Sequence, residues 1–181
     1  AALGLLCYTL WFALCLLVKD EQRVINTKLK QFLLLILGVL FFQLIYGGFM
    51  AGLRAAVTAP TWPGINGSMV PSNINELSPA IKNFIDNPIT IHFIHRGLAY
   101  LLVVLIGIWW FKSGAVSGNK LFSRLRLILM LLVLLQAVLG ILTVLNATYP
   151  GRLVVLGVSH QFIAMALLMV IICLIYFVRK K

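Results

Sequence analysis

The sequence is poor in charged residues, which make up 10% of its 181 positions. A soluble domain of this size usually carries about a quarter charged residues. Hydrophobic residues reach 62%, and they gather in uninterrupted runs of roughly twenty residues. Runs of that length are typical of helices that cross a lipid bilayer. The composition therefore argues against a soluble globular domain.

Carboxylates are the scarcest charged groups, and none of the four lies within an apolar run: Asp20, Glu21, Glu76 and Asp86. A cation-coupled transporter usually places an acid or a broken helix at the middle of the membrane. Nucleotide-binding glycine loops and a serine-histidine-acid set are also missing from the sequence. The three cysteines lie in apolar runs, where they behave as small hydrophobic residues. No paired Cys and His set predicts a structural zinc site.

Five apolar runs predict an all-α integral membrane protein. We expect transmembrane helices at about residues 1–18, 31–53, 89–112, 125–145 and 153–178. The intervening residues are assigned as a linker at 19–30 on the cytoplasmic or matrix side, an outer loop at 55–88, and a basic tail at 179–181. The outer loop is rich in Pro, Asn, Gly and Ser, and it belongs in water or at the interface because lipid cannot satisfy its backbone polar groups.

The first apolar run has an unusual beginning. Ala1 opens within an apolar stretch, with no methionine and no basic lead-in. We therefore expect the chain to be the back part of a longer protein, with residues 1–18 as its first span. Residues 31–178 are expected to form a four-helix transmembrane bundle.

The net charge of +11 is distributed unevenly along the chain. Most of the 15 basic residues flank the linker at 19–30, the connection that follows residue 112, and the C-terminus. Basic residues beside short loops mark the cytoplasmic or matrix face of a membrane protein. The charge thus predicts orientation, with the C-terminus inside and the N-terminus outside. Membrane lipid, and not nucleic acid, is the expected surrounding.

A polar pattern occurs twice in the sequence. Each copy has a helix with Gln-x-x-x-Gly, followed by a helix with His-x-x-x-Ala. The copies contain Gln43, Gly47 and His95 in the first pair, and Gln136, Gly140 and His160 in the second. Two such pairs predict an antiparallel four-helix bundle with a pseudo-twofold axis along the membrane normal.

The repeat places His95 and His160 at similar depths, roughly 10–14 Å inside the outer ends of their helices. Two neutral imidazoles that face each other across a bundle can supply both axial ligands of a haem iron. Ionisable residues inside membranes are costly and are usually functional. The alternative is that each histidine only hydrogen-bonds a neighbouring helix, with Gln43 or Gln136 as its partner. In that case the nearby small residues mark only close helix packing.

Arginines near the outer helix ends can bind the propionates of a haem, because the guanidinium fork matches a carboxylate. Arg96 directly follows His95, whereas Arg54 and Arg152 border the second and fifth runs. The alternative is that these side chains anchor helix ends at the level of the lipid headgroups.

Several motifs resemble the second half of haem A synthases. They are Gly47-Gly48-Phe49-Met50-Ala51-Gly52-Leu53-Arg54-Ala55, Thr61-Trp62-Pro63, Asn87-Pro88, His95-Arg96 with Ala99-Tyr100, Gln136-x-x-Leu139-Gly140-Ile141-Leu142-Thr143 and Ser159-His160-Gln161. These motifs follow the family order across roughly residues 1–178. The first run resembles the last helix of the family's front half, and the other four resemble its back half. The resemblance thus implies that residues 1–18 belong to a preceding half that is missing here.

The resemblance implies an oxidoreductase that converts a methyl group of its substrate, haem O, to the formyl group of haem A for terminal oxidases. The back half would hold a haem b through His95 and His160 as iron ligands. The other cofactor-binding candidates are His92, Arg96, Arg54, Gly47, Gln43, Gln136 and Gly140. No catalytic residue is assigned in this chain, and the fragment alone is expected to be inactive.

The resemblance also implies partners and a location. The partners would be the missing N-terminal half, a haem O synthase, and an electron donor that is a quinol or a redox protein. The location would be the bacterial inner (plasma) membrane or the mitochondrial inner membrane, as a multi-pass protein.

His92 and Arg54 depart from the family pattern. His92 stands where front halves carry Glu and back halves more often carry Gln, and it is expected to hydrogen-bond a propionate or to compete as an iron ligand. Arg54 replaces a position that is commonly acidic. Two other functions stay open: a b-type cytochrome membrane anchor that passes electrons between a quinol and a partner, and a haem-free membrane assembly factor.

Overall fold

The computed structural model describes residues 2–116 and 119–179. Its helices are α1 (Ala2–Leu17), α2 (Thr27–Gly52), α3 (Ala55–Thr58), α4 (Pro88–Ser113), α5 (Lys120–Leu145) and α6 (Pro150–Phe177). Short 3-10 helices lie at Asp20–Gln22, Ser72–Asn75 and Ala80–Phe84. Two-residue strands, β1 (Val24–Ile25) and β2 (Val178–Arg179), pair in parallel. The other regular elements of the described chain are all helices, as predicted.

Four helices in the described ranges are long and apolar enough to cross a membrane: α2, α4, α5 and α6. Large apolar side chains on them stay exposed, for example Phe41 at 60%, Leu131 at 57% and Val154 at 63%. Lipid is the solvent that suits such a surface. These features confirm the prediction of a multi-pass helical membrane protein. Helix α1 is apolar but shorter, with 16 described residues, and its membrane crossing stays a prediction.

Two helices begin earlier than their apolar runs predicted. The side-chain oxygens of Asn26 and Asn119 each accept a hydrogen bond from a backbone N–H in the first turn that follows. An asparagine in this position stabilises a helix start. Helix α2 therefore begins at Thr27 and α5 at Lys120, whereas the apolar runs alone suggested about 31 and 125. Residue 1 and residues 180–181 of the predicted tail lie outside the described residues.

The four long helices pack so that α2 lies on α4 and α5 lies on α6, with further contacts between α4 and α5 and between α2 and α6. Helix α1 packs on α6. We call the end of the bundle that carries residues 18–26 and 178–179 the basic end. The opposite end, which carries residues 53–87 and the turn at 146–149, is called the loop end.

Polar contacts close the basic end. The Arg23 Nε donates to the carbonyl oxygen of Tyr176 at 3.0 Å, and its guanidinium lies 4.5 Å from the centre of the Tyr176 ring. Asp20 pairs with both Arg23 at 3.0 Å and Arg179 at 3.5 Å. These contacts, together with the β1–β2 pairing, join the start of α2 to the end of α6.

Residues 53–87, named here the loop segment, are held to the start of α4 by buried asparagines. The Asn83 side chain accepts from the Leu77 N–H and donates to the Leu77 carbonyl oxygen. The Asn87 side chain donates to the Asn73 carbonyl oxygen and to Asn83 Oδ1. The segment predicted as an outer loop therefore contains α3 and two 3-10 helices, and it is packed against α4.

Candidate functional site

The apolar core fills the half of the bundle nearer the basic end. On each long helix, the core ends one or two turns before the Gln or His of the repeated pattern. The last core residues are at most 4% exposed: Leu40 on α2, Leu102 on α4, Val133 on α5 and Leu167 on α6. Farther toward the loop end, residues of the predicted site are only half-buried: Gln43, Gly47, His95, Gln136, Gly140 and His160. Protein interiors normally pack without voids. The side chains at the level of the histidines are therefore less completely buried than those of the apolar core.

Each histidine contacts the glutamine of its own helix pair. The Gln43 Nε2 and His95 Nε2 atoms lie 3.2 Å apart, and the Gln136 Nε2 and His160 Nε2 atoms also lie 3.2 Å apart. Each pair also leaves the same two buried atoms without a hydrogen-bond partner, the glutamine Oε1 and the histidine Nδ1. The sequence repeat is thus reproduced in side-chain geometry.

The sequence left open the alternative that each histidine only hydrogen-bonds a neighbouring helix. The Gln–His contacts are the ones expected from that alternative. That alternative would satisfy the polar atoms it buries. Instead, one atom on each of the four side chains is buried and unpartnered. An unsatisfied buried polar group costs about 1–3 kcal/mol. Four of them in two matching pairs are more than close helix packing alone would leave, which makes these side chains candidates for binding a further group.

Two glycines let the imidazoles lie against the helix backbone. A Cβ atom at Gly140 would lie 3.1 Å from His160 Cε1, and one at Gly47 would lie 3.4 Å from His95 Cε1. The first distance is shorter than an ordinary van der Waals contact, so a side chain there would displace the ring. The neighbouring Gly48 differs, since a Cβ atom there would meet nothing within 4 Å.

The histidines of the two pairs are close enough to influence each other electrostatically. The His95 imidazole is within electrostatic reach of both His160 and His92. No group of three or more His, Cys, Asp or Glu side chains in the described ranges could hold a metal ion by itself. A haem iron needs only two axial ligands from the protein, because the porphyrin supplies the other four. Two histidines without further ligands therefore fit haem iron better than a bare metal ion.

Arg96 directs its guanidinium toward the loop segment. It donates to the Pro63 carbonyl oxygen at 2.6 Å and to the Thr61 carbonyl oxygen at 2.9 Å. The same guanidinium lies 2.9 Å from His92 Nε2, and His92 is buried. The structure thus brings Arg96 and His92 together, while their predicted contact with haem propionates stays a prediction.

Arg54 and Arg152 lie apart from this group. Arg54 is exposed and adopts the left-handed conformation, with φ 50°, just before α3. Arg152 lies 3.4 Å from Asn146 Oδ1 and stacks 5.0 Å from the centre of the Tyr149 ring. No hydrogen bond in the described part of the chain joins either arginine to a Gln–His pair. Their predicted role at the propionates is also untested.

Comparison with known proteins identifies the family. Residues 1–172 match COX15-CtaA, the cytochrome oxidase assembly protein family. The chain belongs to this family. It is similar to the haem A synthase of Brucella anthropi, with 34% identity over 152 residues, which are 84% of this chain and 42% of that relative. The haem A synthases of Brucella suis and Brucella abortus are 32% identical over 152 residues, covering 84% of this chain and 41% of each relative.

The chain thus spans about two fifths of the length of the curated relatives it matches. No solved structure matches it. The resemblance to haem A synthases that the motifs indicated is confirmed by the family match and by these relatives.

One contact near the candidate site was not predicted from the sequence. The Trp62 indole N–H donates to the Tyr100 hydroxyl at 3.2 Å. Both residues belong to recognised motifs, yet no role was assigned to either. A signal was present, because Tyr100 lies one helical turn after Arg96 and so shares its face of α4. Asn83 was missed as well, and nothing in the sequence separates it from the other asparagines of the loop segment.

Proposed function

We propose that the bundle of α2, α4, α5 and α6 is the haem b-binding half of a haem A synthase, with His95 and His160 as the axial ligands of the iron. The observation that carries the proposal is the matched pair of Gln–His contacts, each with unpartnered buried atoms, beyond the end of the apolar core. Membership of the family and similarity to haem A synthases support it.

The antiparallel, pseudo-twofold arrangement is part of this proposal. It is supported by the helix contacts and by the equal distances in the two pairs. We assign the loop end to the outer side of the membrane and the basic end to the cytoplasm or matrix, because basic residues mark the inner face. The membrane would be a bacterial inner membrane or the mitochondrial inner membrane.

A haem with two histidine ligands supplies one-electron transfer, because no iron position is left for a substrate. The chain's own task is to hold the two imidazoles, and Gly47 and Gly140 give each ring space beside the backbone. If the Nε2 atoms were to hold the iron, Gln43 and Gln136 would have to give up their contacts with them. The four long helices contain no Asp or Glu. We therefore assign the oxidation of the haem O methyl group to the preceding half, of which α1 would be the last helix.

The remaining partners follow from the same assignment. The haem O substrate requires a haem O synthase as its source. The electrons require a donor, which is a quinol or a redox protein. A b-type cytochrome anchor would need the same histidines, and it would differ in never converting haem O.

Titration of the purified chain with hemin tests the proposal. We expect one haem per chain and the absorbance of six-coordinate, low-spin iron, because two imidazoles are available. With haem O, a reductant and oxygen, the chain alone should form no haem A by chromatography. Haem A formation would contradict the assignment of oxidation to the preceding half. A lack of Soret absorbance would favour a haem-free assembly factor.

The glutamines provide a separate prediction. We expect Gln43→Leu and Gln136→Leu to bind hemin about two- to tenfold faster in stopped-flow absorbance, because each removes one hydrogen bond that competes for Nε2. Gln161→Leu is the matched control, since Gln161 is an exposed glutamine beside His160. Loss of low-spin haem in either test variant would instead show that the glutamine holds the bound haem.

A further inference from the structure

The Arg96 guanidinium joins three acceptors from two parts of the chain. Two are the carbonyl oxygens of Thr61 and Pro63 in the loop segment, and the third is His92 Nε2 on α4 itself. A guanidinium can only donate hydrogen bonds, so His92 Nε2 must accept and the His92 ring must be neutral. The proton of that ring then lies on Nδ1, which is buried and has no hydrogen-bond partner.

The sequence spacing explains why His92 can direct Arg96. Residues four apart on a helix share one face, so the His92 ring lies directly behind the Arg96 side chain. His92 is 1% exposed, which fixes the position of its acceptor nitrogen. Holding a long, flexible arginine in a single geometry costs side-chain entropy, and the hydrogen bond to His92 helps to offset that cost. The buried acceptor therefore selects the orientation in which the fork reaches the loop carbonyls.

A second contact holds the same part of the loop segment. The Trp62 indole donates to the Tyr100 hydroxyl, one turn farther along α4. Residues 61–63 are thus attached to the face of α4 that carries His92, Arg96 and Tyr100, and this turn of the helix also carries His95. These two contacts therefore hold residues 61–63 against the part of α4 that carries His95.

The second helix pair has no such attachment. At the places that correspond to His92 and Arg96, the helix with His160 carries Gly157 and Gln161. Its connection to α5 is the short turn at 146–149, so there is no long segment to hold. The Arg96 contacts therefore occur only in the helix pair that has the long loop segment, and a Gln–His contact forms without them in the other pair.

We propose that His92 is a positioning residue for Arg96. As a neutral acceptor, His92 holds the Arg96 guanidinium on the carbonyl oxygens of Thr61 and Pro63. This contact keeps the loop segment packed against the turn of α4 that carries His95. The consequence for haem retention rests on the proposed function. The positioning itself does not, because it involves only contacts within the chain.

Hydrogen exchange of the haem-free protein in detergent micelles tests the positioning. The backbone N–H groups of Thr61, Ile65, Asn66 and Ser68 all donate hydrogen bonds, so a peptide covering residues 59–68 reports on the attachment. His92→Leu and Arg96→Lys should raise its exchange rate at least about fivefold, because each weakens the hydrogen bonding of the fork. His92→Gln should stay within about twofold of the wild type, since its amide oxygen can accept from Arg96.

Arg126→Lys is the matched control for exchange. Arg126 bonds Ser113 Oγ and the Trp110 carbonyl oxygen, each at 2.6 Å, near the basic end. Its replacement should leave exchange at residues 59–68 unchanged. Equal acceleration in His92→Leu and in this control would show a general loss of stability and would overturn the proposal. Unchanged exchange in His92→Leu and Arg96→Lys would also overturn it.

The hemin-loaded protein gives a second readout. His92→Leu should keep the low-spin spectrum, because His95 and His160 are intact, while haem transfer to excess apomyoglobin becomes about fivefold faster. Five-coordinate iron in His92→Leu would make His92 a ligand and overturn the positioning role. If the wild-type chain binds no hemin, the proposed function fails, and the exchange experiment alone decides on His92.

Discussion

His95→Ala and His160→Ala are each expected to abolish the six-coordinate, low-spin spectrum of the hemin-loaded protein. Each substitution removes one axial imidazole, and no carboxylate lies on the four long helices to replace it. The affinity for hemin should fall by at least about tenfold, because a lost iron ligand costs more than a single hydrogen bond. Absorbance and magnetic circular dichroism spectra measure the coordination number directly.

Met substitutions at the same positions separate ligation from folding. A thioether can also bind haem iron, and it stabilises the reduced state. His95→Met and His160→Met should therefore retain part of the haem and raise its midpoint potential in a redox titration.

His92→Gln is the matched control, because His92 lies one turn from His95 on the same helix. It should leave the iron six-coordinate. Unchanged low-spin bands in His95→Ala or His160→Ala would contradict the axial assignment. Five-coordinate iron in His92→Gln, together with six-coordinate iron in His95→Gln, would show that His92 is the ligand in place of His95.

The sequence predicted the membrane class and the helix order, and each for a physical reason. Apolar runs of bilayer length can be counted directly, which located α2, α4, α5 and α6. The spacing within a helix decides which residues share a face, so Gln43 and Gly47 could be placed together, as could Gln136 and Gly140. The Gln–His contacts were expected only as the alternative to haem ligation, and the structure shows one in each helix pair at 3.2 Å.

Other features could not be predicted because they depend on where distant backbone lies. The Arg96 fork was expected at haem propionates, but its acceptors include carbonyl oxygens of the loop segment, 33 and 35 residues away in the chain. Main-chain carbonyl groups carry no residue-specific signal. The β1–β2 pairing has only two residues a strand, too few for an alternating pattern. Helix starts were misplaced because hydropathy does not register the capping side chains of Asn26 and Asn119.

Gly140→Leu is expected to have the second largest effect, a loss of low-spin haem with at least about fivefold weaker hemin binding. A Cβ atom at this position already lies 3.1 Å from His160 Cε1, so the larger side chain must push the imidazole out of place. Overpacking of this kind costs about 1–3 kcal/mol in well-packed interiors, which corresponds to roughly five- to hundredfold in affinity if the ring position bears the cost. Gly47→Leu should act in the same direction and more weakly, because the corresponding distance to His95 Cε1 is 3.4 Å.

Gly48→Leu provides the control that isolates this effect. Gly48 and Gly47 are neighbours on α2, so both substitutions gain the same helix propensity. A Cβ atom at Gly48 meets nothing within 4 Å, and its side chain would leave both imidazoles in place. We therefore expect Gly48→Leu to bind hemin like the wild type, with Gly47→Leu and Gly140→Leu progressively weaker at equal helix content by circular dichroism. Equal affinity in all three variants would show that the glycines do not define the ring positions. Because the three substitutions are chemically identical, the order of their effects depends only on how close each backbone lies to a histidine.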